Sequence, residues 1–371
     1  MFVAWRDLAF AKGRFALMGT VVVLITLLVG LLSGLTAGLA RQNVSAVTGL
    51  PADRIAFAAP ADGQDLSDLS YADSTVTEEQ WRTWAAAPGV TRAQPLGITT
   101  TRASAGERTT GVSVLGVPAG SPLAPESDRI DDRAVVLSST AATELGAGPG
   151  DTVTLADRRL TVAAVSGDAS FSHTPVVWAT LGTWNGITPS AGTAADTGAA
   201  DGRTATVIAL STGPDADIAS IDRAAGTLTV EKDDSLSAIG SYTSENGSLQ
   251  LMRGFLFAIS ALVIGAFFTV WTIQRSGDVA VLKALGAPTR NLLADALSQA
   301  LVLLTGGTLL GTALAAATGA ALSGSAVPFE LTPGTVLVPA AVMIVLGALG
   351  AALSIRRITS VDPLTALGSA R

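Results

Sequence analysis

Polar and apolar positions divide this chain into two regimes. Four runs are almost wholly apolar: Phe15 to Leu39, Leu251 to Ile273, Ala296 to Leu322 and Val336 to Ile355. Each is long enough, at about 1.5 Å per helical residue, to cross roughly 30 Å of hydrocarbon. The first holds about 24 apolar positions, beyond the roughly 7–15 of a signal-peptide core, and reads as an anchor. Between the first and second runs the pattern changes to short alternating or β-branched stretches. "RIAFAA", "TGVSVLGV", "RAVVLS", "DTVTL", "RLTVAAVSG", "PVVWA", "TATVIAL" and "TLTVEK" predict strands. "TEEQWRTWAAA", "STAATELGA" and "DADIASIDRAA" predict helices, with Thr77 and Gln80 placed as a capping box. Residues 188–204 are Ala-, Gly- and Thr-rich and read as a loop.

The pattern therefore predicts a membrane protein with four transmembrane helices per chain and a large extracytoplasmic α+β domain inserted between helices one and two. The expected boundaries are a cytoplasmic interfacial elbow at 1–14, helix one at 15–39, the inserted domain at 40–248 and helix two at 249–274. A cytoplasmic loop at 275–290, helix three at 291–322, an outer loop at 323–335, helix four at 336–355 and a cytoplasmic tail at 356–371 complete the chain. In the elbow, Phe2, Trp5, Leu8 and Ala9 share a face, while Arg6, Lys12 and Arg14 meet headgroups.

Charge sets the orientation. The segment 41–249 carries 13 Arg and Lys against 25 Asp and Glu, while the whole chain is only −7. Basic residues gather on short flanks: Arg6, Lys12 and Arg14, then Arg275, Lys283 and Arg290, then Arg356, Arg357 and Arg371. The positive-inside rule places both termini and the 275–290 loop in the cytoplasm of a multi-pass plasma-membrane protein. The acidic insert is then extracytoplasmic, with Arg253 the one basic residue at an outer helix start.

Composition narrows the chemistry. The absence of cysteine excludes disulfides, thiolate nucleophiles and Cys-ligated zinc, and a single histidine, His173, excludes a multi-His metal site within one chain. Only Lys12, Lys232 and Lys283 are lysines, and none completes a P-loop, so the chain holds no nucleotide site of that kind. A Ser-His-Asp reading of His173 with Asp168 and Ser170 or Ser172 rests on local clustering alone.

The segment "QRSGDVAVLKALGAPTRN" carries the sharpest motif. Gly277 and Asp278 can open a helix, Val279, Leu282 and Leu285 recur near a helical period, and Gly286 and Pro288 close it. A helix of about two turns is marginal alone in water and needs a membrane or a protein groove. This segment resembles the cytoplasmic loop of FtsX-like, MacB-type permeases of ATP-binding-cassette (ABC) transporters. Arg275, Asp278, Val279, Leu282, Lys283, Ala284, Leu285, Gly286 and Ala287 carry the match. "SIRRITSVDPLTAL" resembles that family's C-terminal pattern, except that Thr365 stands where an acidic residue is common.

The resemblance covers the whole chain and implies a permease subunit, not an enzyme. Two copies pair, and each contacts one of two copies of a cytoplasmic ATPase subunit that binds ATP and Mg. Asp278, Val279, Leu282, Lys283 and Leu285 would form the coupling helix in an ATPase groove. No intrinsic cofactor and no nucleic acid are implied. The four-span layout further resembles haem-efflux permeases of Gram-positive bacteria, which implies haem, taken from membrane lipid, as the amphipathic substrate. The competing readings are an FtsX-like transmitter acting on an extracellular partner and a permease that extracts lipid or lipoprotein.

Glu245, Met252 and Arg253 share a helical face at the predicted outer membrane edge, spaced i, i+7, i+8. Glu245 or Met252 could ligate haem iron, and Arg253 could meet a propionate. The plain alternative is a helix start with an N-terminal acid and a snorkelling Arg. Met18, Tyr71, Tyr242 and His173 are the other ligand-type residues, each read as structural. Gly30, Gly34 and Gly38 form a small-xxx-small series that would pack helix one against helix two of the same or a partner subunit.

Overall fold

The computed structural model describes residues 12–59, 69–188, 203–274, 288–322 and 327–359. The chain divides into two compact units, Met1–Leu39 with Ser248–Arg371, and Ala40–Gly247. Helix α1 (Lys12–Thr48) is continuous over 37 residues, so helix one runs past the expected end at Leu39. "ARQNVSAV" offers no breaker, and the helix stops only where Gly49 and Pro51 arrive.

The Ala40–Gly247 unit is built on β1 (Arg54–Ala58), β2 (Val76–Thr77), α2 (Glu78–Ala86), β3 (Val90–Ala105), β4 (Arg108–Val117) and β5 (Ala134–Leu137). There follow α3 (Ser139–Leu145), β6 (Thr152–Leu155), β7 (Arg158–Val165), β8 (Ser170–Phe171), β9 (Thr174–Thr180) and α4 (Leu181–Ile187). The last elements are β10 (Thr204–Ala205), β11 (Val207–Thr212), α5 (Ile218–Ala225) and β12 (Thr227–Glu231). One ten-stranded sheet runs in the order β12-β1-β11-β3-β4-β9-β5-β7-β6, with β8 on β9, and β2 pairs separately with β10. The far end of β3 also pairs with β6, through Ala103 and Leu155, so the path from β3 to β6 closes on itself and leaves no free edge there.

Two apolar clusters fill this unit. One includes Trp81 and Trp84 of α2, Leu145 of α3, Trp184 of α4 and Ile221 of α5. The other includes Phe57, Leu115, Trp178 and Leu236 together with Ala46 and Val47 from the end of α1. Strand β3 and helix α4 were not among the elements the sequence pattern predicts, and they meet at one joint. Gly97 and Gly116 face each other across β3 and β4. A Cβ on Gly97 would stand 2.6 Å from Cε2 of Trp184, and one on Gly116 2.7 Å from its Cγ. The paired glycines make the slot in which the indole lies. The capping box expected at α2 is present between Thr77 and Gln80: Gln80 Oε1 accepts from the Thr77 amide at 2.8 Å, and Gln80 Nε2 also donates to the carbonyls of Ala225 and Gly226 at 3.0 Å each.

The other unit contains α6 (Gly240–Gln274) from its residue 248 on, α7 (Thr289–Leu322) and α8 (Pro333–Thr359), with the first part of α1. With α1, these are the four described helices long and apolar enough to cross a membrane. Met18, Val22, Ile264, Phe268, Leu304 and Met343 are buried between them, while Leu17, Leu28, Phe255, Leu262 and Leu353 point outward. That inversion, leucines outside and a thin core inside, suits hydrocarbon rather than water.

The glycine series of α1 has other neighbours than the expected helix two. A Cβ on Gly30 would stand 2.8 Å from Ala315 Cβ of α7. A Cβ on Gly34 would strike the ring of Phe329, and one on Gly38 would strike the carbonyl of Pro328. The segment 328–330 thus folds back onto α1, fastened by the Glu330 amide donating to the Gly34 carbonyl at 3.1 Å. Spacing alone identifies a close approach but not the element that makes it. The elbow residues before Lys12, the coupling residues Asp278, Val279, Leu282, Lys283 and Leu285, and the tail after Thr359 lie outside the described residues.

Candidate functional site

A two-residue turn joins β8 to β9, since Phe171 pairs with Thr174. Its central residues, Ser172 and His173, both have positive φ, 49° and 64°. Hairpin turns of this shape favour Asn-Gly, because a Cβ is strained there by roughly 1–2 kcal/mol per residue. Neither residue here is glycine, so neighbouring contacts must hold the turn in place. The Ser172 amide donates to the Asn43 carbonyl at 2.9 Å, and the His173 amide to the Gln42 carbonyl at 3.1 Å. One residue-pair further along, the Ser170 amide donates to Ser45 Oγ at 2.9 Å, and Arg41 pairs with Asp168 at 2.8 Å. The last ion pair is half exposed on both sides, worth at most about 1 kcal/mol.

These contacts deliver the only imidazole of the chain to the first turns of α6. His173 Nε2 lies 2.6 Å from Glu245 Oε2, and Asn43 Nδ2 donates to the same oxygen at 3.2 Å. Ser241 Oγ donates to Asn43 Oδ1 at 3.1 Å, which fixes the flip of that amide and turns its NH2 toward Glu245. Ser172 Oγ and Ser241 Oγ are 3.2 Å apart and complete the chain of contacts. Asn43 is buried, whereas the His173 and Glu245 side chains keep 30% and 43% of their surface exposed. The cluster therefore has a dry floor and a wet mouth. With Glu245 as acceptor, His173 carries its proton on Nε2, and the 3.3 Å approach of Asn43 Nδ2 to that nitrogen is a contact between two donors.

Such a cluster presents a half-exposed carboxylate and an imidazole to a cation or to a ligand's metal. It does not assemble a hydrolytic relay: Asp168 is engaged by Arg41, Ser172 by Ser241, and the His173 ring by Glu245. Among the described residues no group of three or more His, Cys, Asp or Glu could hold a metal ion.

The other sequence candidates are placed as follows. Glu245, Met252 and Arg253 do lie on one continuous helix, α6. Met252 is about half exposed, and the Arg253 guanidinium carbon sits 5.8 Å from the centroid of the Phe257 ring, one turn on. Met18 is core. Tyr71 is buried between Phe57 and Phe171, with ring centroids 4.9 and 5.5 Å away, and donates to Ser235 Oγ at 2.9 Å. Burial pushes the Tyr71 hydroxyl well above the ordinary tyrosine range, with the Ser235 bond opposing it. Tyr71 is therefore not an open ligand. Tyr242 is partly buried against the same cluster. Asn43 and Ser241 are the participants that sequence reading missed; no motif marks them.

Two family models match the chain: a MacB-like periplasmic core domain over residues 15–228 and the C-terminal part of FtsX-like permeases over residues 251–363. A Staphylococcus epidermidis permease, HrtB, assigned to a hemin transport system, is 31% identical over 151 residues. That match spans 40% of this chain and 42% of the relative, less than half of its length. The Staphylococcus haemolyticus protein of the same name is 24% identical over 376 residues, 99% of both chains. Among solved structures, the periplasmic region of MacB from Actinobacillus actinomycetemcomitans aligns with a TM-score of 0.34 at 12% identity, over 50% of this chain and 92% of that one.

Proposed function

Starting from a chain that belongs to the MacB-like, FtsX-like family of ABC transporter permeases, we propose that it extrudes an amphipathic substrate, haem foremost, using ATP hydrolysed by a separate ATPase subunit. Two copies of the permease pair, and each docks one ATPase through residues 278–285. Both termini face the cytoplasm and the Ala40–Gly247 unit faces outward.

The observation that carries the substrate reading is the half-exposed carboxylate of Glu245 at the head of α6, next to the sole imidazole of the chain. Haem offers an iron that accepts a carboxylate oxygen, a flat apolar ring that partitions into lipid, and two propionates that favour a cation. Met252 and Arg253, seven and eight residues along the same helix, are assigned the soft contact and the propionate partner. The hemin assignment of the Staphylococcus haemolyticus relative, matched along its full length, points the same way.

Haem titration of the purified protein tests this. A saturable Soret band should appear with the parent and weaken in Glu245→Ala, and cells carrying Glu245→Ala should lose haem tolerance. A parent protein that gives no saturable band, with ATPase activity of the complex indifferent to haem, refutes the substrate.

A further inference from the structure

Among the described residues, both hydrogen-bond contacts of the Glu245 carboxylate fall on one oxygen. His173 Nε2 at 2.6 Å and Asn43 Nδ2 at 3.2 Å converge on Oε2. A carboxylate gripped on one oxygen by two donors has its plane and tilt fixed, and its second oxygen presented as an acceptor. The donors are themselves held. The Asn43 amide is buried and oriented by Ser241, and the His173 ring stands on a turn whose backbone is pinned at Ser172 and His173 to the carbonyls of residues 43 and 42. The strained φ values of that turn have no explanation in packing alone, since the turn puts a polar ring at a wet surface.

We propose that His173 and Asn43 are positioning residues for Glu245, holding its Oε2 so that Oε1 meets the substrate. The proposal rests on the reading of Glu245 as the residue that touches substrate. Groups of this kind orient a ligating carboxylate and raise its usefulness without touching the ligand. The arrangement also accounts for the residue types. A Gln at 43 would overreach the carboxylate, and an Asp there would place an acceptor against an acceptor. His at 173 supplies a donor on a rigid ring that spans from the turn to α6. Ser241 is needed only to settle which way the amide faces.

The test uses the full-length permease in detergent, titrated with hemin, with affinity and the Soret position read together. His173→Ala and Asn43→Ala should each weaken binding on the order of tenfold to a hundredfold while leaving the band position near that of the parent. His173→Gln keeps an N–H donor and should recover most of the loss, which a merely structural role would not grant. Ser241→Ala should weaken binding less than Asn43→Ala does, because the amide can still adopt the right flip. Thermal unfolding of each variant separates misfolding from mispositioning, and His173→Gln remains informative where an alanine variant fails to fold. Should Glu245→Ala bind hemin like the parent, both this proposal and the Glu245 reading fall. Should Glu245→Ala lose binding while His173→Ala and Asn43→Ala match the parent, only the positioning role falls. A band that moves in both His173→Ala and His173→Gln would make His173 itself the iron ligand and overturn the positioning role.

Discussion

Replacing Gly34 by alanine should destabilise the membrane unit in the parent and stabilise it once Phe329 is truncated. Gly34 lies beneath the Phe329 ring, and a Cβ there would stand 2.6 Å from Cε1 and 2.7 Å from Cε2, with Cζ closer still. Gly319 of α7 meets the same ring, so the ring cannot simply slide toward that helix. Over-packing of this kind costs about 1–3 kcal/mol. In Phe329→Ala the obstruction is gone, and alanine at a helical position then gains roughly 0.5–1 kcal/mol over glycine. The sign of the Gly34→Ala effect therefore reverses, and the coupling between the two sites sums to about 1.5–4 kcal/mol. Gly38 supplies an internal control. Its added Cβ would strike the Pro328 carbonyl and stand 2.9 Å from the Phe329 amide, both backbone atoms, so Phe329→Ala should not rescue Gly38→Ala. The assay is unfolding from mixed micelles followed by helical circular dichroism, over the full cycle of single and double variants. Gly34→Ala costing the same with and without the Phe329 ring would refute the reasoning, as would a neutral Gly34→Ala in the parent.

Three further outcomes follow from the same geometry and sequence. Leu282→Asp, by burying an unpaired carboxylate in the ATPase groove, should cost several kcal/mol of assembly and abolish co-purification of the ATPase; normal co-purification would dismiss the coupling-helix assignment. Ser172→Cys with Ser241→Cys, in a chain free of other cysteines, should oxidise readily to an intramolecular disulfide, because the two hydroxyls are 3.2 Å apart; a double variant that stays reduced under mild oxidant speaks against the described cluster. Tyr71 is held neutral in the folded chain, so stability is fully present below the ordinary tyrosine value of about 10 and falls above it by up to roughly 1.4 kcal/mol per pH unit, as only the unfolded state ionises. Tyr71→Phe should flatten that alkaline decline, and an unchanged decline would show that other groups cause it.

Much of this fold is legible because each strand that was read carries its own signal. β4, β5, β7 and β9 are runs of valine, leucine and alanine bounded by turn residues, and burial on the sheet is what such runs encode. β3 is the instructive loss. "VTRAQPLGITTTRASA" holds Pro95 and Gly97 and alternates poorly, so local pattern argues against a strand. The strand forms because it is paired by β11 along its first half and by β4 along its second, and Pro95 sits opposite Ile208 within that pairing. Its glycine is selected by an indole from α4, a contact between residues 97 and 184 that no window on the sequence contains.

The candidate site was legible by half, and the reason is topological. Glu245 could be read because acidity at the head of an apolar helix is a local feature. His173 could be seen as chemically apt, yet its neighbours in the chain, Ser172 and Thr174, say nothing about where its ring goes. That is decided by two positive φ angles at non-glycine residues, which sequence propensities disfavour, and by the carbonyls of Gln42 and Asn43, far earlier in the chain, that receive the turn's amides. Asn43 is more hidden still: within "ARQNVSAV" it is one polar residue among several on a helix that was expected to have ended. Because α1 continues to Thr48, residue 43 stays helical, and its side chain reaches Ser241 and Glu245, about 200 residues on. The same continuation hands Gln42 and Asn43 carbonyls to the hairpin. A breaker placed at Leu39, where the apolar run stops, would have removed the floor of the cluster and both pins of the turn at once. The polar extension of helix one is thus the feature on which the geometry of Glu245 depends, and its helical character, rather than any single side chain in it, is what the site requires of the sequence.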